Sequence, residues 1–241
     1  MSSGGRAAGL ALAASLALGA AGPLAAQVGH APGSSPFRDI TMRQTLSFVV
    51  GRFGGDTAVA GVGWRAGPLY AGRLDTRLTG PLDFTASIGF AASSRKKIDT
   101  EDAPATRDTA RVHRTLLLAD IGLTLNLTGA KTWHGIAPYV GFGAGYMAPL
   151  KTEKDPGGYN AGSNFTLIPA LGTRVFLGRR LAARVEVRDY FWRYEWPLRY
   201  FAPLDRNGND ITPPILAAGA KDRQWTHNIA LTIGIVYAFN F

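Results

Sequence analysis

Hydrophobic and polar residues alternate along most of this chain. From Thr115 to Leu127, the residues Leu117, Ala119, Ile121, Leu123, Leu125 and Leu127 fall on one face, and Asp120, Gly122, Thr124 and Asn126 on the other. A period of two with one apolar and one polar face is that of a β-strand lying between two different solvents. The last segment repeats it, with Ile229, Leu231, Ile233, Ile235, Tyr237, Phe239 and Phe241 against Asn228, Ala230, Thr232, Gly234 and Asn240. So does 180–192, where Leu181, Ala183, Val185, Val187 and Phe191 oppose Arg184, Glu186, Arg188 and Tyr190. Carried along the chain, the pattern predicts eight strands near 43–53, 68–79, 81–93, 113–127, 135–147, 163–177, 180–194 and 224–241. The gaps after the second, fourth and sixth are short (Gly80, 128–134, 178–179), and the others are long (54–67, 94–112, 148–162, 195–223). Together these give an all-β expectation: an eight-stranded antiparallel transmembrane β-barrel with short periplasmic turns and long extracellular loops. The strands exceed the ~5–6 residues usual in soluble sheets and match the ~9–11 of a tilted membrane strand, which weighs against a lipocalin-like barrel or a sandwich.

The first 26 residues do not alternate. A basic start at Arg6, an apolar run from Ala7 to Ala21 and the small-residue end Leu24-Ala25-Ala26 read as a cleaved secretory signal peptide, the alternative being a retained helical anchor. Residues 27–42 then read as a periplasmic linker and 43–241 as the barrel. Cleavage removes Arg6 and leaves 25 basic against 17 acidic residues, a charge of +8. That excess leaves nucleic acid or an anionic membrane surface open as partners. Export selects the membrane. The 241 residues contain no Cys, which excludes a disulfide scaffold, a Cys-based zinc site, a thiol nucleophile and a lipobox anchor.

The carboxyl-terminal residues Thr232, Gly234, Tyr237, Phe239 and Phe241 follow the pattern of an outer-membrane assembly signal: a polar residue, a glycine two later, then alternating aromatics ending in Phe. From about residue 43 onward the chain resembles the small eight-stranded barrels of the OmpX, OmpW and OmpA-transmembrane type. It departs from full-length OmpA in having no peptidoglycan-binding domain after the last strand. The resemblance implies a bacterial outer-membrane location, contact with barrel-assembly machinery through Gly234, Tyr237, Phe239 and Phe241, no cofactor and no nucleic acid. The surface partner is left open.

Strand parity turns one set of charges inward: Arg43, Arg73, Asp75, Arg77, Asp83, Asp120, Arg174, Arg184, Glu186 and Arg188. An eight-stranded barrel is only wide enough for its own side chains, so these must pair with one another. The expected product is a polar plug; an anion-selective filter is the alternative. Aromatics cluster where strands meet loops, with Phe53, Tyr70, Phe90, Tyr146, Phe165, Phe191, Trp192, Trp196 and Trp225 at one end and Phe84, Trp133, Tyr237, Phe239 and Phe241 at the other. They read as two membrane girdles, with base stacking the competing use. Arg95, Lys96 and Lys97 in the loop 94–112 would meet lipopolysaccharide phosphates, or else form a solvated loop with the neighbouring acids.

Catalytic signatures are thin. His30, His113, His134 and His227 show no metal-ligand spacing, and Gly141-Phe142-Gly143-Ala144-Gly145 lies in a strand with no helix after it, so it is not a phosphate loop. His227 falls on the lipid face near Asp189, as a lipid A-modifying hydrolase would need, but no Ser stands beside it. The expectation is a structural or interaction protein at the cell surface rather than an enzyme. A narrow transporter for small or hydrophobic solutes is the first alternative, and a lipid A-modifying enzyme the second.

Overall fold

The computed structural model describes residues 35–152 and 154–240; the expected signal peptide, residues 27–34 of the linker and Phe241 lie outside these. Eight long strands follow one another: β1 (Gln44–Phe53), β2 (Gly67–Thr79), β3 (Leu82–Ile98), β4 (Asp108–Asn126), β5 (Ile136–Pro149), β6 (Asn164–Phe176), β7 (Leu181–Glu195) and β8 (Arg223–Phe239). Each pairs antiparallel with its neighbour in sequence. β8 returns to β1, from Ala230↔Phe53 to Phe239↔Gln44, which closes the sheet into a barrel. Among the described residues no helix is long and apolar enough to cross a membrane, and the only helical turn is the 3₁₀ turn Leu198–Tyr200.

The register fixes the shape. Starting at Tyr237, the chain of opposed residues runs Leu46, Leu74, Ala86, Ile121, Ala144, Leu167, Phe191 and back to β8 at His227. One circuit therefore climbs ten residues along β8. With ~4.8 Å between strands and ~3.3 Å per residue, that stagger tilts the strands by about 40°. Alternation does the rest. On β1, Leu46 and Phe48 are exposed while Thr45 and Ser47, which alternate with them, are buried; Ile229, Leu231, Ile233 and Ile235 form the same outward apolar row on β8. An outward apolar surface of this kind is stable only against hydrocarbon.

Two parts of the chain differ from the expectation. β3 and β4 run past the barrel wall as a paired arm, with Ser94↔His113 through Ile98↔Asp108, so the loop expected at 94–112 shrinks to 99–107. At the opposite end, the stretch Phe37–Asp39, which the sequence places in a linker, pairs with Lys131–Trp133 in the turn between β4 and β5. Ile40 is buried beneath it and accepts a 2.7 Å hydrogen bond from Arg77 Nη1. The short-turn end of the lumen is thereby covered by the chain's own early residues.

Candidate functional site: the filled lumen and its outer cap

The inward face of β2 offers Arg73, Asp75 and Arg77, and that of β7 offers Arg184, Glu186 and Arg188. β3, β4 and β6 add Asp83, Asp120 and Arg174. All but the partly covered Arg77 are buried. At the centre, Asp75 accepts hydrogen bonds from Arg73 Nε at 2.7 Å, from Thr45 Oγ1 at 2.9 Å and from Arg184 Nη2. Glu186 accepts from Arg73 Nη1 at 2.5 Å and from the Tyr139 hydroxyl at 2.7 Å, with Arg188 Nε at 3.5 Å. Toward the short turns, Asp83 is paired with Arg174 at 3.1 Å and held by Asn126 Nδ2 at 2.9 Å, with Arg77 at 3.8 Å directly across the strand pair. Toward the long loops, Asp120 receives both Nη atoms of Arg188, at 2.6 and 3.2 Å.

Five arginines thus meet four carboxylates. The excess is spread over an aromatic ring that the sequence reading passed over: the guanidinium carbons of Arg73, Arg174 and Arg184 lie 5.6–5.9 Å from the centroid of Tyr139. Its signal was the same parity, since Ala137, Tyr139 and Gly141 face inward on β5. Gly172 makes room for it. A Cβ there would meet the Tyr139 hydroxyl at 2.4 Å and the Val185 carbonyl oxygen at 2.8 Å. Arg43, expected in this set, is exposed beyond the end of β1, where its N–H donates to Asn240 Oδ1.

Above the ion network the lumen turns apolar and aromatic. Phe53, Trp64, Leu69, Leu116, Leu118, Met147, Tyr190, Trp192, Tyr194, Trp196 and Tyr200 are buried in one cluster that continues into the long loops. Phe53, Trp192 and Trp196 are therefore not girdle residues; Phe53 and Trp192 keep the inward parity of β1 and β7, Trp196 continues it just past the end of β7, and proximity to the loops misplaced them. Phe53 and Trp192 stack at 6.1 Å and 6°, and Trp196 and Tyr200 at 6.0 Å and 16°. Tyr70, Phe90, Tyr146, Phe165 and Trp225 at this end, and Phe84, Trp133 and Tyr237 at the other, are exposed as girdle residues would be.

Arg95 also differs from the expectation. It does not reach outward to lipid: its inward parity on β3 buries it at 3% exposure, paired with Asp155 through two hydrogen bonds of 2.6 and 2.7 Å and lying over Trp64 and Tyr159 at 5.7 and 5.5 Å. Burial opposes its charge, but Asp155 outweighs burial and holds the guanidinium above its usual pKa. Burial likewise pushes the Tyr159 and Tyr200 hydroxyls above the ordinary phenol range. The loops are tied over this hub, with Arg107 Nη2 donating to the Pro213 carbonyl at 3.0 Å and Arg199 pairing with Glu101 at 3.0 Å. Lys96 pairs with Asp108 on the arm, and Lys97 is half-buried.

A polar cleft of about 570 Å³ opens at this end, lined by Thr152, Asn160, Ser163, Asn164 and Glu195 with Tyr159 and Tyr194. Among the described residues no cluster of His, Asp and Glu is placed to hold a metal ion. Of the carboxyl-terminal signal residues, Gly234 sits where a Cβ would meet the Phe48 carbonyl oxygen at 2.2 Å, and Tyr237 and Phe239 stack at 6.2 Å.

No protein-family model and no curated protein matches the chain. Among solved structures it is similar to the outer membrane protein OprG from Pseudomonas aeruginosa, at 10% identity and a TM-score of 0.48 over 86% of this chain and 100% of that one. It is also similar to Neisserial surface protein A (12%, 0.47, 85% and 98%) and to the N-terminal β-barrel domain of Pseudomonas aeruginosa OprF (12%, 0.44, 82% and 98%). By its own register and alternation, the chain is a closed eight-stranded antiparallel β-barrel with an apolar outer face and a charged, filled interior.

Proposed function

We propose that this protein is an outer-membrane barrel with a closed lumen, acting at the cell surface through its loops as a structural or interaction protein. The observation that carries this reading is the burial of the ion network, with Asp75 at 2% and Arg184 at 1% exposure in mid-lumen. A conducting path would solvate these charges; here they solvate one another, as a narrow interior requires. The aromatic hub above and the Ile40 segment below reinforce the closure. Single-channel recording in planar bilayers tests it. The expected record is silent, and a steady conductance overturns the reading.

The long loops belong outside the cell and the turns at Gly80 and 177–180 on the periplasmic side, with Lys96 and Lys97 near the lipopolysaccharide. Contact with assembly machinery through Gly234, Tyr237, Phe239 and Phe241 is part of the same reading: Phe241→Ala should lower the heat-modifiable fraction in the membrane. The transport alternative draws on the polar cleft, whose floor is Tyr159 and Tyr194 of the hub. Passage from it would need the hub to move. It predicts solute uptake that a buried-hub variant abolishes.

A further inference from the structure

The outer wall changes character at one place. At the height where Tyr70, Phe90, Tyr146 and Phe165 form the exposed girdle, β7, β8 and β1 present charges instead. Above the outward rows Val185–Val187 on β7, Ile235–Ile229 on β8 and Phe48–Val50 on β1 come Asp189, His227 and Arg52. Asp189 is opposite Ile229, and Arg52 is opposite Leu231. Each step round the barrel in this direction climbs roughly one residue, so Asp189 and Arg52 stand level, with His227 just above them.

The patch is held in place by a run of contacts. Arg193 lies over the Trp225 ring at 5.8 Å, Trp225 stacks on Phe191 at 4.5 Å, and Phe191 stacks on His227 at 4.6 Å. His227 Nδ1 meets Asp189 Oδ2 at 2.5 Å, and Asp189 Oδ1 accepts the Asn228 N–H at 3.0 Å. Both carboxylate oxygens are thus engaged, the imidazole is fixed in orientation, and its Nε2 edge turns away from Asp189 on a side chain that is 66% exposed. Arg52, one strand beyond, is exposed and forms no ion pair with a described residue. Arg193 and Arg223 share Glu195 at the upper margin.

A cation at the boundary of the hydrocarbon is costly without an anion beside it. The occupant of this wall in a membrane is a lipid, and a terminal phosphate on it would meet the exposed Arg52 and the outward Nε2 edge of His227. We infer that Arg52 and His227 bracket a phosphate of a phosphorylated outer-leaflet glycolipid, the lipid A moiety of lipopolysaccharide. Arg52 would present its fork to two phosphate oxygens, with the His227 edge that carries Nε2 on the other side of the phosphate and Nδ1 held by Asp189. The inference rests on the outward orientation of the long loops proposed above.

The test is native mass spectrometry of the purified full-length protein in detergent, titrated with bisphosphorylated lipid A, dephosphorylated lipid A and phosphatidylglycerol. Wild-type protein should bind the phosphorylated lipid A about tenfold or more tightly than either of the others, the scale of a lost charged hydrogen bond. The double variant Arg52→Gln/His227→Gln should lose that discrimination, while Arg111→Gln on the β3–β4 arm should keep it. Heat-modifiable mobility checks folding, and either single variant substitutes if the double does not fold. Wild-type affinity in the double variant overturns the inference, as does equal affinity for phosphatidylglycerol. Labelling Asn207→Cys in intact cells with a membrane-impermeant maleimide separates the two claims: a labelled protein without lipid A discrimination sinks only the lipid site, whereas an unlabelled one sinks the orientation and the site with it.

Discussion

Among single residues, Glu186 answers two arginines and a tyrosine at once. Glu186→Ala leaves Arg73 and Arg188 short of a partner in a water-poor interior, where breaking a buried pair costs on the order of 3–5 kcal/mol. The expected outcome is a lower unfolding midpoint in denaturant and no new current; wild-type stability with an anion current would reverse the plug reading. Gly172→Ala should act through the same group, pushing the Tyr139 hydroxyl off Glu186 and lowering the midpoint as well, by about 1–3 kcal/mol for an overpacked interior. Parity made the charged members of this network legible, since Arg73, Asp75, Arg77, Arg184, Glu186 and Arg188 sit at alternate positions of strands, with Leu74, Thr76, Val185 and Val187 between them. The Gly80 turn also makes one pair legible, Arg77 with Asp83, because that register is local; the other pairings depend on the register between strands far apart in the chain. Tyr139 was missed for a different reason: an aromatic on an inward face looks like filler until three guanidinium groups are found round it.

The elements of the cap obey the same parity, and the sequence carried it that far only in part. Arg95 continues the inward series of Asp83 and Ser93 on β3, yet the run Arg95-Lys96-Lys97 has no apolar face, so nothing in it announced a strand. Its structure comes from pairing across the arm, not from amphipathic contrast. Removing the guanidinium with Arg95→Met would strand Asp155 inside the aromatic hub. Limited proteolysis should then cut 150–163 at least several-fold faster while the barrel core stays resistant; unchanged rates would mean that the loops close without the pair. The raised Tyr159 and Tyr200 hydroxyls give the cap a pH limit. Below the ordinary phenol value of about 10 both rings are neutral whether the cap is closed or open, so its stability is fully present. Above that value the opened cap loses phenolic protons that the closed cap retains, so stability falls as pH rises. Protease sensitivity of the loops should therefore increase above about pH 10 before the barrel unfolds.

At the level of the whole molecule, the alternation of long and short connections was sufficient for the strand count and the order of pairing, and the observed strands begin and end within a few residues of the expected ones apart from the β3–β4 arm. The short strand Phe37–Asp39 could not be read this way, since three residues carry no period. The sidedness of the barrel is open to a direct measurement. The chain has no Cys, so Asn207→Cys in the last long loop and Arg179→Cys in a short turn each introduce a single thiol. Impermeant maleimide should modify the first in intact cells and the second only after the outer membrane is breached. The reverse pattern would invert the topology.

The seam between β8 and β1 sets the kinetics of assembly. Its ten pairs join residues nearly the length of the barrel domain apart, and Arg43 N–H reaches Asn240 across 197 positions. Every other pair among the eight long strands is a local hairpin that can form as soon as its second strand exists; the seam alone among them has to wait for the whole chain. Contacts of such separation carry the largest loop-closure cost and form last. Until then two edges are unpaired, β1 on one side and β8 on the other, in a surrounding with no water to satisfy them. Closure is thus the slow step, and the interval before it is when the sheet is open to pairing with another chain.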